Sequence, residues 1–265
     1  MLSLSLAMVG LILIGFLSLY KRWLTLAGAL GMIIMGIAIV YAFHIAGLIA
    51  IFLFFISSNL LTSVIRRNQR TTKPSPEQRN LVQVLANGGW PLLAALGQIL
   101  LPSPFWLGFY IVSITEATAD TWASEVGSTL GKAPFHLRLW RRVPKGLSGA
   151  MTGIGSLAGM LGSLIIALDS LTLIPHDSFK NTLITICTIA LLGWIGQFVD
   201  TLLGAYGQAR YHCTVCDCFT DKSHHCDKPA HHVGGLRWMT NNAVNGLSSL
   251  FAGALGGSIF LFWIN

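Results

Sequence analysis

The sequence carries little charge, and acidic residues are especially scarce. Charged residues make up 10% of the 265 residues, and only ten are Asp or Glu, whereas an average globular protein has about 25% charged residues. The mean hydropathy is +0.66. These values exclude an ordinary soluble globular chain. The sequence also shows no repeat at a fixed period, no Walker phosphate-binding motif and no detached soluble domain.

Long apolar runs take the place of the missing charge. A transmembrane helix needs about 20 predominantly apolar residues, and eight segments meet this requirement. They lie near 2–20, 24–42, 45–63, 81–101, 104–130, 147–174, 181–207 and 242–264. The fifth and eighth contain many polar residues, so seven spans is an alternative. We predict an all-α fold, a polytopic integral membrane bundle of about eight helices in one membrane domain (1–265), with His44 in the turn between spans 2 and 3.

Almost all basic residues fall in alternate loops of this bundle. Of the 17 Lys and Arg residues, 16 lie between spans 1 and 2, 3 and 4, 5 and 6, or 7 and 8, and only Lys180 lies elsewhere. Cytoplasmic loops carry the Lys and Arg excess in membrane proteins. The pattern predicts four cytoplasmic basic loops and both termini outside. Topology accounts for most of the net charge of +7, and the rest could attract anionic headgroups or a polyphosphate ligand.

The polar residues divide the chain into regions. Residues 1–63 are rich in Gly, Leu and Ile and are predicted to be packing helices, because small residues let helices approach closely in lipid. The helices within 80–208 and 241–264 carry polar faces, and we expect them to form the site. Residues 209–240 form a cytoplasmic loop with Cys and His residues of its own.

The stretch EATADTWASEVGSTLG (116–131) concentrates three of the ten acidic residues. At 100° per residue, Asp120, Thr121, Ser124 and Glu125 fall within one arc of about 140° on a helix, and Glu116 falls just outside it. Such carboxylates could be neutralised by Arg or hydroxyl groups, or could form a proton or ion relay. The absence of a basic partner in the span favours a hard cation, and Mg²⁺ takes one or two carboxylates together with substrate phosphates.

Three further helices carry polar stripes. Asp200 lies on one of them and is a third candidate ligand for Mg²⁺, while Asn242 and Asn245 lie on the last span, where helix–helix hydrogen bonding is the alternative role. Asn80 and Asn87 share a face at the start of span 4. Amides of this kind can hold phosphate or sugar oxygens.

The segment VPKGLSGAMTG (143–153) joins a basic loop to the next span. Glycine permits close approach of the backbone, and the first amides of a helix form an anion site. We therefore predict a phosphate-binding element at this helix start. Its expected residues are Arg141, Arg142, Lys145, Gly146 and Gly149.

Four of the five cysteines lie in HCTVCDCFTDKSHHC (212–226). Cys213, Cys216, His224 and Cys226, with His225 as the alternative to His224, have spacings suited to a structural tetrahedral Zn²⁺ site. A reduced loop without metal and a redox-sensing loop are the alternatives. With zinc bound, the loop would be held over the cytoplasmic mouth of the bundle.

Several stretches, taken together, resemble the phytyl-phosphate kinase family, which includes transmembrane protein 19 of animals. They are RNLVQVLANGG, EATADTWASEVG, VPKGLSGAMTG, DTLLGAYGQ and NNAVNGLSS, in this order between about 79 and 249. Asp120 and Glu125 match the family's D-T-x-x-S-E core, and Asp200 matches its D-x-L-x-G segment. Asn80, Asn87 and Gly149 match its other signatures, whereas Leu147-Ser148 departs from an expected Thr-Asn.

The resemblance implies a membrane kinase that transfers a phosphoryl group from a nucleoside triphosphate, CTP or ATP, to an isoprenyl monophosphate. The expected partners are the lipid bilayer, the isoprenyl phosphate and the nucleotide, and not nucleic acid. Two other functions remain open. One is an ion- or proton-coupled transporter, although the inverted repeats typical of such proteins are not evident. The other is a membrane scaffold whose zinc loop recruits a partner.

Overall fold

The computed structural model describes residues 2–68, 78–174 and 178–263. For 2–4 and 66–68 it describes the backbone only. Helices form most of this part of the chain, and their positions agree broadly with the predicted spans. They are α1 (Leu2–Tyr20), α2 (Leu26–Asn68), α3 (Leu81–Leu100), α4 (Pro104–Leu130), α5 (Gly153–Asp169), α6 (Phe179–Tyr206) and α7 (Asn241–Trp263), with a short 3-10 helix at Ser170–Thr172.

Helix α2 covers two predicted spans because its backbone is interrupted at His44, where φ is 57° and ψ is −160°. The chain reverses direction at this residue. Leu24, just before α2, pairs with Arg79, and Ile65, near the end of α2, packs against Val126 of α4. Both ends of α2 therefore lie at the end of the bundle where α3 begins and α4 finishes. The predicted turn at His44 agrees with this break.

Helix α4 is the central helix of the bundle. It contacts α2, α3, α5, α6 and α7, and all residues from Gly108 to Ala119 are buried. Neighbouring helices supply polar partners inside the bundle, so a central helix can carry polar residues that a lipid-facing helix could not. Small residues permit this packing. A side chain at Gly196 of α6 would collide with Glu116 of α4.

The outer surface is strongly apolar, as a lipid environment requires. Phe16, Phe179 and Phe262 are 71%, 84% and 89% exposed. Four helical segments are long and apolar enough to cross a membrane by length and composition. They are Leu26–Ile65, Gly153–Thr172, Phe179–Tyr206 and Asn241–Trp263.

The loops at the polar end of the bundle contain short antiparallel strands that the all-α prediction did not include. Strands β1 (Phe135–His136), β2 (Arg141–Arg142) and β3 (Ala150–Met151) form a sheet in the order β2-β1-β3. Strands β4 (Arg210–Cys213), β5 (Cys218–Thr220) and β8 (His231–Gly234) form a second sheet in the order β5-β4-β8, and β6 (His224–His225) pairs with β7 (Lys228–Pro229). The predicted span 147–174 is wrong at its start, because 147–152 belong to this loop structure and Thr152 caps α5.

Tyr110 stabilises the reversal of α2. Its hydroxyl donates to the Gly47 carbonyl at 2.6 Å, and its ring lies 4.4 Å from that of Phe43 between centroids. We expect Tyr110→Phe to lower the free energy of unfolding by about 1 kcal/mol, because a buried carbonyl loses its donor. Thermal unfolding in detergent micelles measures this loss. The exposed Tyr41 provides the matched control, since Tyr41→Phe should leave the unfolding temperature unchanged, and equal effects of the two changes would contradict the assignment.

Candidate functional site

A polar cavity opens at the end of the bundle where α3, α5 and α7 begin and the last turns of α4 and α6 lie. Its empty volume is about 1550 Å³, including the part open to the outside. Most residues predicted from sequence line this one cavity. They are Asn87, Asp120, Thr121, Ser124, Glu125, Lys145, Gly146, Gly149, Asp200, Asn242 and Asn245.

Four carboxylates line the cavity, and three of them belong to two helices. Asp120 and Glu125 belong to α4, and Asp200 belongs to α6. Among the described residues, no Lys or Arg nitrogen lies within 4.0 Å of their oxygens. A close ion pair with Arg, one of the alternatives considered from sequence, is therefore not seen among the described residues, although Arg79 and Lys145 line the same cavity.

Helix α7 holds Asp200 in place through neutral donors. The Ser248 hydroxyl donates to Asp200 Oδ2 at 3.4 Å. When the Asn245 amide is oriented to satisfy its neighbours, its nitrogen donates to the same oxygen at 3.3 Å and to the Asn241 carbonyl at 2.8 Å. Neutral donors position a carboxylate while leaving its negative charge available to a cation.

Gln197 adds an oxygen that lacks a partner. It lies on α6, three residues before Asp200, and lines the same cavity. Its side chain is 3% exposed, and its Oε1 atom has no hydrogen-bond partner in the structure. Buried polar atoms are normally paired. This oxygen lies against Gly159 of α5, where an added Cβ would be only 2.2 Å away, so it is an unpaired polar atom between α5 and α6 at the edge of the cavity.

Glu116 lies deeper in the bundle and does not line the cavity. It is 1% exposed, and its Oε2 atom accepts a hydrogen bond from the Ser249 hydroxyl of α7. Its Oε1 atom has no partner. Sequence analysis assigned Glu116 no role, and the structure places it one helical turn below Asp120, in the contact of α4 with α6 and α7.

Asn80 does not line the cavity, contrary to its predicted role in nucleotide binding. Its side chain accepts from the Gln83 backbone N–H at 3.0 Å, and the Gln83 side chain accepts from the Asn80 N–H at 3.0 Å. This reciprocal pair is a capping box, which satisfies free N–H groups at the start of α3. Asn80 therefore acts as a helix cap, while Gln83 and Asn87 face the cavity.

Arg79, which sequence analysis treated only as a topology charge, lines the cavity. Its backbone is fixed from two directions, because its N–H donates to the Trp23 carbonyl at 3.0 Å and its carbonyl accepts from the Thr25 N–H at 3.1 Å. Burial lowers the pKa of Arg79, whereas the Glu125 carboxylate acts in the opposite sense. The sequence does place Arg79 directly before the cap of α3, and this position could have indicated that it lies at the same end of the bundle as the site.

The segment before α5 lines the cavity, and its glycines allow the backbone to approach α6 closely. Gly149 has φ +79°, and a Cβ there would lie 2.2 Å from Ala205 Cα of α6. The neighbouring Ser148 hydroxyl donates to Gln208 at 2.6 Å. Thr152, Gly155 and Ser156 continue the lining into α5, so the first turn of this helix faces the cavity.

Arg141 and Arg142 do not line the cavity, contrary to their predicted role beside the glycines. They form β2, the edge strand of the β2-β1-β3 sheet, and are exposed. Lys145 does face the cavity, and its ammonium donates to the Thr129 carbonyl at 3.2 Å. Of the three predicted cations in this loop, Lys145 alone faces the site.

The chain matches the model of the family described as integral membrane protein DUF92 over residues 9–253. It belongs to the DUF92 family. It is 35% identical to the uncharacterized membrane protein MJ0933 of Methanocaldococcus jannaschii over 70% of this chain and 75% of that protein. It is 27% identical to Protein PGR of Arabidopsis thaliana over 94% of each chain, and 28% identical to Protein VTE6, chloroplastic, of the same plant over 53% of this chain and 34% of that one. No solved structure matches it.

The long loop of this DUF92 protein gathers a group that could hold a metal ion. One ligand atom from each of Cys213, Cys216, His225 and Cys226 lies within 4.8 Å of the others. His225 joins the group in place of His224, whose Nδ1 lies 3.3 Å from the Ser223 hydroxyl. The same loop carries Asp221, which sequence analysis did not select and which lines the polar cavity.

The thiols of this group are not equivalent. Hydrogen bonding from the Cys216 backbone lowers the pKa of Cys213. Hydrogen bonding with Cys216 raises the pKa of Cys226 to about 11. Closely spaced thiols resist joint deprotonation, because neighbouring thiolates repel each other. A bound cation would remove that repulsion, and thiolate is the form in which cysteine binds metal.

The close approach at Gly149 predicts a difference between two glycines of one loop. Gly149→Ala should lower the free energy of unfolding by about 1–3 kcal/mol or more, because it combines strain at positive φ with a collision against the α6 backbone. Gly146 also has positive φ, +95°, but no atom within 4 Å of an added Cβ. Gly146→Ala should therefore cost less. Unfolding temperatures of the two variants measure the difference, and an equal or larger loss for Gly146→Ala would contradict it.

Proposed function

We propose that this DUF92 protein is a membrane kinase that transfers a phosphoryl group from CTP or ATP to an isoprenyl monophosphate and yields the diphosphate. The observation that carries the proposal is the pairing of opposite electrostatic elements in one cavity. Asp120, Glu125 and Asp200 face the first turns of α3, α5 and α7. Helix N-termini attract anions, while carboxylates without a basic partner attract a hard cation.

These residues suit a Mg²⁺–phosphate complex. Asp120, Glu125 and Asp200 would hold Mg²⁺. When bound, the ion supplies neutralisation of the nucleotide phosphates. The first turn of α5 would bind phosphate oxygens through its N–H groups, and Lys145 would add a positive charge.

Phosphoryl transfer depends mainly on positioning and on charge stabilisation. A phosphate oxygen of the isoprenyl monophosphate forms the new bond to the γ-phosphorus, while the bond between that phosphorus and the β–γ bridging oxygen breaks. The nucleoside diphosphate leaves with the electron pair. Asn87, Asn242 and Asn245 would orient phosphate or ribose groups through their amides.

Three further observations support this reaction over a transporter. The motifs that resemble the phytyl-phosphate kinase family supply most of the cavity lining, including Asp120, Glu125, Asp200 and Gly149. Similarity to Protein VTE6 covers 53% of this chain. The cavity also opens at the helix ends joined by the basic loops, the predicted cytoplasmic side, where soluble nucleotide is available. If the two halves of α2 cross the membrane separately, the described helices make eight crossings. An even number of crossings leaves both termini on one side, which is the predicted outside.

The reaction predicts a strict need for two carboxylates. Purified protein in liposomes, with Mg²⁺, labelled CTP or ATP and isoprenyl monophosphates, should form the diphosphate. Asp120→Asn and Asp200→Asn should each lower kcat by about 100-fold or more, because each removes charge from the metal–phosphate site.

Asp169→Asn is the matched control, because Asp169 ends α5 about 24 Å along the helix from its first turn. This variant should retain activity. Absence of diphosphate with every prenyl chain and both nucleotides would contradict the kinase. Full activity of Asp120→Asn would instead contradict the site.

We infer that the Cys/His group holds a structural Zn²⁺. Three thiolates and one imidazole would fill a tetrahedral shell and leave no open position for catalysis. The ion would fix the loop that carries Asp221 into the cavity. Its expected role is therefore to order one wall of the site.

This inference predicts one zinc ion per chain by elemental analysis. Cys216→Ser and His225→Ala should each lower the zinc content severalfold, because each removes one of four ligands. His224→Ala should retain the metal, and it controls for the loss of an adjacent imidazole. A loss with His224→Ala as large as that with His225→Ala would show that the ligand set is wrong.

A further inference from the structure

A second, apolar groove lies between the two halves of α2 and the start of α3. Its empty volume is about 570 Å³, including the part open to the outside. The side chains that line it are mostly large and apolar, and most of them belong to α2, for which the sequence predicts only a packing role. They include Met32, Met35, Ile51, Phe52, Phe55 and Val84.

The groove adjoins the polar cavity. Arg79, Gln83 and Asn87 line both spaces. These three polar side chains therefore form a boundary, with an apolar channel on one side and the three carboxylates on the other. A ligand that crosses this boundary must have an apolar body and a polar end.

Arg79 indicates the charge of that polar end. A guanidinium can bind phosphate through two parallel hydrogen bonds. The Arg79 backbone is held by Trp23 and Thr25, so its side chain extends from a fixed point between the two spaces. A neutral apolar molecule would gain nothing from this cation, whereas a phosphate monoester with a hydrocarbon chain would satisfy both sides of the boundary.

We propose that the groove between α2 and α3 binds the hydrocarbon chain of an isoprenyl phosphate, and that Arg79 holds its phosphate at the edge of the polar cavity. The proposal rests on the proposed kinase function and specifies where the acceptor substrate lies. Met32 and Met35 suit the methyl branches of such a chain, because the unbranched thioether adapts to irregular shapes. Helix α2 thus forms part of the substrate site.

Photo-crosslinking tests this placement without requiring catalysis. The probe is a 20-carbon isoprenyl monophosphate with a diazirine on its chain, added to the full-length protein in liposomes. Mass spectrometry should locate the label within 24–36, 51–55 or 81–88. Unlabelled isoprenyl monophosphate should compete with the probe, whereas the isoprenyl alcohol and phosphatidic acid should compete at least tenfold more weakly.

Two changes on α3 provide a matched pair. Val84 lines the groove, whereas Val82 is 60% exposed on the outer surface. Val84→Phe should lower labelling by the 20-carbon probe about tenfold and leave labelling by a 10-carbon probe unchanged, which also reports that the variant is folded. Val82→Phe should change neither. Arg79→Gln should lower labelling by both probes about tenfold, because it removes the phosphate contact.

The possible results separate this proposal from the kinase assignment. Labelling in the groove without diphosphate formation supports isoprenyl phosphate binding in the groove and counts against the kinase function. Diphosphate formation with the label confined to other helices overturns the groove. Equal competition by phosphatidic acid or by the alcohol also overturns it, because the groove would then be a general site for membrane lipid.

Discussion

The rest of the structure depends on how three carboxylates are accommodated within an apolar bundle. A charged side chain at membrane depth costs several kcal/mol unless water, a counter-charge or polar neighbours receive it. Here α4 occupies the centre of the bundle, and its acidic turns open into a polar cavity instead of facing lipid. The carboxylates do not pair with Lys or Arg among the described residues. A cation that enters the cavity would therefore not have to displace a close ion pair at these oxygens.

The alternating direction of the helices provides the complementary field. Helices α3, α5 and α7 begin at the cavity, while α4 and α6 reach it with their last turns. The positive ends of three helices therefore meet carboxylates carried by the other two. The carboxylates alone would be costly to bury, and the helix N-termini alone would attract an anion only weakly. The proposed metal–phosphate ligand would satisfy both at once.

The sequence predicted the parts of the site that follow helical periodicity. Asp120, Thr121, Ser124 and Glu125 are assigned correctly to one face, since the angle between residues on a helix is fixed. Site residues in loops were harder to predict, because their side-chain directions depend on strand pairing that a sequence pattern does not determine. Arg141 and Arg142 were therefore placed in the site although they form an edge strand, and Asp221 was overlooked. Asn80 was misassigned for another reason, because a helix cap and a ligand-binding amide look alike in sequence.

The boundary at Arg79 suggests separate routes by which two substrates would reach the site. A nucleotide would reach the cavity from water, past the Cys/His loop and the carboxylates, while a lipid phosphate would come from the membrane through the groove behind α3. The two substrates would then approach from opposite sides and meet near Asn87, which lines both spaces. Such separation lets one protein exclude membrane lipid from the nucleotide site and nucleotide from the hydrocarbon channel. It also gives a reason for α2, whose sequence alone indicates nothing beyond packing.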